Sequence, residues 1–224
     1  MYAGYWQTDA AVETLVALAD GGRVLELGIG TGRLALPLVE RGHEVHGVEG
    51  SEEMVAKLRE KPGGDGIPVV VGDFAHADAG TGFDLVVLAV NTIFALPDQQ
   101  AQVSCFRNAA RHLAPSGRFV VEAWVPDVCG FKHDRLVRPR IMRTDKMSIE
   151  SVELDPVEQI MRTVQAVFSD GGVRLYPADH RYAWPAELDL MAQLAGFSRE
   201  DRWADWGRAP FTAASRAHVT VYRL

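Results

Sequence analysis

Apolar runs of strand length alternate with helical patterns through the first half of the chain. Continuous apolar runs predict five buried strands, at 23–28, 44–49, 68–72, 83–90 and 118–124. Apolar residues at helical spacing predict helices at 9–20, at 34–41, after Ser51 and at about 97–113. Strands of continuous apolar character that alternate with helices are typical of a parallel sheet covered on both faces. The pattern therefore predicts a doubly wound α/β fold.

Polar residues mark two of the predicted helix starts. Asp9 is predicted to cap the first helix, which Gly21 and Gly22 would end. Ser51 is predicted to cap the helix that follows the second strand. Such side chains accept the hydrogen bonds that the first turn of a helix leaves unpaired.

The pattern changes after Trp124. Residues 126–147 are basic and predicted to be irregular, and 148–183 predict short alternating strands around a turn at 169–172. A helix at 185–195 and two strands near 198–206 and 217–224 follow. Because no segment has the composition of a linker, we expect one domain, 1–224. It would comprise a core (1–125), an appended insertion or lid (126–183) and the C-terminal part of the core (184–224).

Composition narrows the function classes. The 224 residues carry a net charge of −7, which argues against a nucleic-acid binder, because such proteins depend on basic surfaces. Cys105 and Cys129 are the only cysteines, so neither a disulfide framework nor a cysteine metal site is expected. The longest apolar runs are strand-length, which predicts no membrane span, and no signal peptide is recognisable. We expect a cytoplasmic protein.

The junction of the first strand and first helix carries a glycine-rich motif. Gly28, Gly30 and Gly32 allow a tight turn without a Cβ that would obstruct a ligand. Dinucleotide-binding folds use Gly-x-Gly-x-x-Gly instead, and here position 33 is Arg. Glu26, within the strand, suits a ligand with an amino group better than a diphosphate. The motif therefore predicts a cofactor that is a nucleoside without phosphates, held by the core.

Polar residues end the neighbouring strands. Glu49 can accept hydrogen bonds from both hydroxyls of a ribose. Asp73 supplies an acceptor for an exocyclic amine, and Phe74 a neighbour for an adenine ring. In a parallel sheet such residues meet at the carboxyl edge. The predicted binding set also includes these flanking or central residues: Thr31, Gly50, Met54, Ala89 and Asn91.

These motifs, in this order, resemble the class I S-adenosylmethionine-dependent methyltransferases. The resemblance implies a Rossmann-like, seven-stranded-type sheet with an antiparallel segment after the fifth strand. It also implies that the glycine loop packs against the methionine part of S-adenosylmethionine, Glu49 binds ribose and Asp73 binds adenine. Gly117 matches the turn before the fifth strand, and 182–197 match the late helix and strand. Tyr5 is similar to a residue that closes over the cofactor in small-molecule members, often sugar-amine N-methyltransferases.

Catalysis by methyl transfer needs no metal or protein nucleophile, because alignment of donor and acceptor supplies most of the acceleration. His180 is the candidate catalytic residue that would orient or deprotonate the acceptor, ahead of His133. Residues 132–146 hold six basic side chains and two acids, which form either a solvated loop or a site for a carboxylate or phosphate. Aromatic residues of this half could pack in the core or wall a glycosidic substrate.

The sequence thus predicts methyl transfer to nitrogen or oxygen of a small metabolite that could be anionic or glycosidic. Neither nucleic acid nor membrane is an expected partner, and a homodimer is possible. Two alternatives stay open: a non-catalytic S-adenosylmethionine-binding partner subunit, and a nicotinamide-dependent oxidoreductase, which the glycine spacing disfavours.

Overall fold

The computed structural model describes residues 8–224 as five helices and eleven strands with short 3-10 turns between them. The helices are α1 (Thr8–Ala19), α2 (Ala35–Glu40), α3 (Glu52–Arg59), α4 (Gln99–His112) and α5 (Pro185–Leu194). The strands are β1 (Val24–Leu27), β2 (Val45–Glu49), β3 (Val69–Val71), β4 (Phe83–Leu88), β5 (Leu113–Trp124), β6 (Arg135–Met142), β7 (Lys146–Asp155), β8 (Ile160–Ser169), β9 (Gly172–Arg181), β10 (Ser198–Trp203) and β11 (Ala217–Arg223).

Seven strands form the main sheet in the order β10-β11-β5-β4-β1-β2-β3. β1 to β5 pair in parallel, and β11 is inserted antiparallel between β5 and β10. The other four strands form an antiparallel sheet in the order β6-β7-β8-β9. Both the doubly wound sheet and the antiparallel segment after the fifth strand are confirmed.

Both faces of the main sheet are covered, which explains the continuous apolar runs. Along β4, Val86 and Leu88 belong to the core packed against α4 and α5, whereas Leu85 and Val87 belong to the core packed against α1 and α2. Successive side chains of a strand point to opposite faces, so a strand between two cores has no polar side. Burial of each such side chain stabilises the folded state by roughly 1.5–3 kcal/mol relative to leaving it exposed to water.

Of the two predicted helix caps, Asp9 and Ser51, the structure has one. Ser51 caps α3, since its side chain accepts a hydrogen bond from the Met54 backbone nitrogen at 3.3 Å. The prediction for Asp9 was wrong, because α1 already includes Thr8. Asp9 lies in the first turn, where a carboxylate still interacts favourably with the helix dipole.

The stretch predicted to be irregular, 126–147, contains β6 and the start of β7, so that prediction was wrong. In the ladder, Arg135 lies opposite Glu153 and Arg138 opposite Glu150. Opposite charges directly across an antiparallel pair stabilise it, and this non-local pairing is invisible in the local pattern. The alternating strands predicted for 148–183 are present as β7, β8 and β9.

The antiparallel sheet packs over the end of β5 through a small apolar cluster. Val152, Leu154, Met161 and Tyr182 form its buried part, and Trp124 packs against them. The contact encloses space between the two sheets. None of the helices between residues 8 and 224 has the length and apolar character needed to cross a membrane.

Candidate functional site at the strand tips

The glycine loop after β1 has a backbone that requires glycine. Gly28, Gly30 and Gly32 have φ angles of +73°, +56° and +81°, a region that side chains with a Cβ rarely adopt. The Gly28 nitrogen donates to the Val48 carbonyl at 2.8 Å, which ties the loop to β2. The loop therefore lies at the carboxyl edge of β1 and β2, as the motif predicts.

The space that these glycines leave is used differently from the expectation. A Cβ on Gly28 would lie 2.6 Å from Cγ2 of Thr92, and one on Gly32 would lie 2.4 Å from Cδ1 of Leu58. At these two positions the missing Cβ makes room for protein side chains rather than for a ligand. The nearest atom to a Cβ on Gly30 would be Sδ of Met54, at 3.7 Å.

Glu49 connects the loop to the start of α3. Its Oε2 accepts a hydrogen bond from the Gly30 nitrogen at 2.8 Å, and its Oε1 accepts one from the Ser51 nitrogen at 2.9 Å. Because a carboxylate oxygen has two lone pairs, each oxygen can accept one more donor. The half-buried carboxylate is thus held in a fixed orientation beside the loop, next to Gly50 and Met54.

Asp73 lies at the neighbouring strand tip. The nitrogen of Gly72 donates to the Glu49 carbonyl at 3.0 Å, so the ends of β2 and β3 adjoin. Asp73 is exposed, and its Oδ1 accepts a hydrogen bond from the Ala75 nitrogen at 2.8 Å. Phe74 is half-buried against the core. Glu49 and Asp73 therefore lie on the same edge of the sheet.

Glu26 on β1 is buried, with 6% of its surface exposed. Its Oε2 has no hydrogen-bond partner within the described part of the chain. Burial raises the pKa of this carboxyl to about 8, against the opposing effects of Arg33 and of a hydrogen bond from the Ala35 backbone. An orphaned buried carboxyl oxygen is costly, and an amino group of a ligand would satisfy it.

This shift predicts how the stability of the ligand-free protein depends on pH. The folded protein holds the Glu26 proton up to a pKa of about 8, whereas the unfolded chain releases it near 4.5. The folded state therefore binds more protons, and the free energy of unfolding falls as pH rises through this window. We expect Glu26→Gln to reduce the dependence of the free energy of unfolding on pH between about 4.5 and 8. Urea unfolding at several pH values in this range measures it. An unchanged slope would contradict the assignment.

The tip of β4 is strained. Val90 and Asn91 have φ angles of +54° and +62°, a conformation that costs non-glycine residues energy and that clusters at functional sites. Glu122 on β5 holds them: its Oε2 accepts from the Val90 nitrogen at 2.8 Å and its carbonyl from the Asn91 nitrogen at 3.1 Å. Oδ1 of Asn91 accepts from the Trp124 nitrogen at 2.6 Å, so the side chain does not cap the next helical turn.

A cavity of about 480 Å³ lies between these strand tips and the antiparallel sheet. Asn91 and Glu122 line it, and the adjoining Ala89 is buried in the core. His180, the predicted catalytic residue, lines it from the opposite side. Burial lowers the pKa of His180, although Glu150 and Asp179 act in the other direction. The imidazole is therefore neutral near pH 7 and able to accept a proton.

The basic segment of the insertion is largely neutralised. Arg138 and Arg140 both pair with Glu150, whereas Arg135 and Arg143 pair with other acids. Of the six basic residues at 132–146, only Arg138 and Arg140 line the cavity. His133 is exposed on a turn. The six basic residues therefore do not form a joint anion site.

Two residues that line the cavity were missed by the sequence interpretation. Glu122 and His218 line the cavity, and the only local signal was an ionisable residue inside an apolar strand. Thr31 is half-buried in the loop, where its carbonyl accepts from Nζ of Lys61 at 2.6 Å. Tyr5 lies outside the described residues. Between residues 8 and 224 no group of three His, Cys, Asp or Glu side chains could hold a metal.

Comparison with known proteins agrees with this geometry. Residues 24–117 match the profile of a methyltransferase domain family. The chain is 42% identical to the CcbJ methyltransferase from Streptomyces caelestis, with a TM-score of 0.91 over 97% of this chain and 89% of that one. It is 29% identical to the cypemycin N-terminal methyltransferase from a Streptomyces species, over 90% of this chain and 83% of the relative.

Solved structures of lower identity share the fold. CalS10, an amino pentose methyltransferase from Micromonospora echinaspora, is 22% identical with a TM-score of 0.72, and the alignment covers 96% of this chain and 88% of CalS10. The profile match runs from β1 to the first residues of β5, the part that carries the glycine loop, Glu49 and Asp73. These findings do not favour a nicotinamide-dependent oxidoreductase or a non-catalytic subunit. The chain belongs to the class I S-adenosylmethionine-dependent methyltransferases.

Proposed function

We propose that the protein transfers a methyl group from S-adenosylmethionine to an amine nitrogen of a small metabolite. The observation that carries this proposal is the cavity of about 480 Å³ that adjoins the tip of β4. Its volume is that of a site for a small molecule. The relatives named for an N-terminal amine or an amino sugar favour nitrogen over oxygen as the accepting atom.

We assign residues of this chain to the amino group, the ribose and the adenine of the cofactor. Glu26 would bind the amino group, Glu49 the ribose hydroxyls and Asp73 the adenine amine, with Phe74 beside the ring. The orphaned Oε2 of Glu26 supports the first of these roles. Backbone groups of 28–32, together with Gly50, Met54, Ala89 and Asn91, would complete the site. When bound, S-adenosylmethionine supplies a methyl group on a positively charged sulfur.

Glu122 and His180 would act on the acceptor. One oxygen of Glu122 is held by the Val90 nitrogen, and the other accepts no hydrogen bond from residues 8–224. That second oxygen can bind an acceptor ammonium and fix the position of its nitrogen. The neutral imidazole of His180 can then take the proton, which leaves the nitrogen lone pair free. Fixed alignment of the reacting atoms can lower a barrier by roughly 7–11 kcal/mol.

The proposal is tested by supplying the cofactor with a panel of small amines, alcohols and natural-product extracts. Mass spectrometry should detect an acceptor that gains a methyl group while S-adenosylhomocysteine is released in equal amount. Methylation confined to hydroxyl acceptors would replace nitrogen by oxygen in the proposal. Tight cofactor binding without turnover across the whole panel would favour a non-catalytic partner subunit.

His180→Ala is expected to lower kcat by about 100-fold, the lower range for loss of a general base. The affinity for S-adenosylmethionine should stay unchanged, because His180 lines the acceptor cavity and not the glycine loop. Steady-state kinetics with the identified acceptor and calorimetry with the cofactor would measure the two effects. His133→Ala, at an exposed turn, is the matched control. Full turnover in His180→Ala would remove this role.

We also infer that the protein works in the cytoplasm and that its acceptor is neither nucleic acid nor lipid. The net charge of −7 supports the absence of a nucleic-acid partner, because phosphate binding depends on basic surfaces. The predicted homodimer, like the division into 1–125, 126–183 and 184–224, stays a prediction.

A further inference from the structure

His218 is a buried histidine that lines the cavity and has one unpartnered nitrogen. It lies on β11, is 0% exposed, and lines the cavity beside the end of β5. Its Nδ1 is 2.8 Å from Oγ1 of Thr220. Its Nε2 has no partner within the described part of the chain. Buried polar atoms are nearly always paired, so this one points to a missing ligand group.

Neighbouring hydrogen bonds decide which nitrogen of His218 carries the proton. Nε of Arg202 donates to Oγ1 of Thr220 at 2.8 Å, and Asp189 holds the guanidinium in place at 2.6 Å. Arginine can only donate, so Oγ1 of Thr220 accepts this bond. This oxygen has a second lone pair, but among residues 8–224 no group other than Nδ1 of His218 lies within reach to accept the hydrogen of the buried hydroxyl. The hydroxyl therefore donates to Nδ1, which acts as the acceptor. The proton of the imidazole therefore lies on Nε2.

The imidazole is also uncharged. Burial and the nearby Arg202 lower the pKa of His218 to about 3, although Asp189 acts in the opposite direction. A neutral ring with its proton on Nε2 presents one N–H donor. A donor that is buried without an acceptor destabilises the folded protein. An oxygen of a bound molecule would remove that cost.

Arg216 lies two residues before His218 on the same strand path. The Val125 nitrogen donates to the Arg216 carbonyl at 2.9 Å, which continues the β5–β11 ladder to this residue. Side chains two apart along a strand share a face, and both residues line the cavity. Arg216 has no ion-pair partner from position 8 onwards, whereas Arg138 and Arg140 both pair with Glu150.

We propose that His218 and Arg216 form a subsite for a carboxylate of the acceptor. One carboxylate oxygen accepts the Nε2 hydrogen of His218, and the guanidinium of Arg216 balances the charge. The ladder places His218 opposite Ala123, the residue next to Glu122. Successive side chains of β5 point to opposite faces, so Glu122 and His218 share the cavity that both line but not one face of the sheet. An acceptor that fills this cavity would carry a carboxylate for His218 and Arg216 as well as an amine for Glu122. This inference rests on the proposed function and narrows its substrate class.

The first test is a long-range ¹H–¹⁵N spectrum of the protein labelled at histidine. His218, assigned by the loss of its signals in His218→Gln, should be neutral with the proton on Nε2 between about pH 6 and 8. A proton on Nδ1, or a charged ring in this range, would overturn the proposal. The tautomer is read from the unsubstituted protein, and His218→Gln serves only to assign the signals.

The second test titrates the same protein, saturated with S-adenosylhomocysteine, with acetate, propionate and benzoate and with their amides. At least one carboxylate should shift the Nε2 signal of His218 saturably, and Arg216→Gln should weaken its binding by about tenfold. Binding of the matching amide should not depend on Arg216. Arg174→Gln, an exposed cation outside the cavity, is the matched control.

The outcomes separate the two proposals. The subsite is wrong if no carboxylate shifts the signal, or if Arg216→Gln and Arg174→Gln behave alike. Neither result depends on methyl transfer. An active enzyme in which no carboxylate shifts the Nε2 signal of His218 would therefore contradict only the carboxylate subsite. Carboxylate binding in a protein that methylates no acceptor of the panel would contradict only the proposed function.

Discussion

Glu49→Ala is expected to weaken the binding of S-adenosylmethionine by roughly 1,000-fold, the loss of two hydrogen bonds to a charged acceptor. The carboxylate of Glu49 has two roles in this account. It would accept both ribose hydroxyls, and it accepts the backbone nitrogens of Gly30 and Ser51. Its removal therefore deletes ligand contacts and frees the glycine loop. Calorimetric titration of the cofactor measures the effect.

The control for this prediction is Glu52→Ala. Glu52 is an exposed acid in the first turn of α3, three residues along the chain, and it does not line the cavity. Its cofactor affinity should stay within about threefold of the original protein. Glu49→Gln should fall in between, because an amide keeps one acceptor oxygen. Equal affinities for Glu49→Ala and Glu52→Ala would contradict the placement of the ribose.

Glu122→Gln is expected to lower kcat/KM for the acceptor by about 1,000-fold, the upper range for loss of one preorganised polar group. The amide oxygen can still accept from the Val90 nitrogen, so the strained turn at Val90 and Asn91 should persist. The oxygen that faces the acceptor becomes an amide nitrogen, which repels an ammonium. Turnover should fall while cofactor affinity changes little.

Asp127→Asn is the matched control for Glu122→Gln. Asp127 is an exposed acid on the wall of the same cavity, and Asn can still accept from the Cys129 nitrogen. Its kcat/KM should stay within about fivefold, because exposed charges are screened by solvent. Comparable losses in both variants would show that the cavity needs acidity in general and that Glu122 has no special position.

Local sequence was sufficient for the parallel sheet and for its carboxyl edge. The side chains of β4 point alternately into two cores, so the strand is a continuous apolar run that is recognisable in the sequence. Glu49 was predictable because parallel strands end at one edge, so an acid at the end of β2 must lie near the loop after β1. Once the strands are known to be parallel, the place of a residue at the end of a strand therefore predicts its neighbours in the fold.

Pairings between distant segments could not be predicted in this way. β6 pairs with β7 along a ladder in which Arg138 lies opposite Glu150, whereas the local sequence of β6 resembles a charged loop. The Cβ that Gly28 lacks would clash with Thr92, a residue from beyond β4. The free Nε2 of His218 depends on what Thr220 and Arg202 already bind. These features belong to the assembled fold.

A crystal structure of the complex with S-adenosylhomocysteine tests the central claim most directly. The account predicts the ribose hydroxyls on the carboxylate of Glu49, the amino group on the orphaned Oε2 of Glu26, and the sulfur directed at the cavity between Asn91 and Glu122. An adenosyl group bound away from Glu49, or an Oε2 of Glu26 still without a partner in the complex, would contradict it.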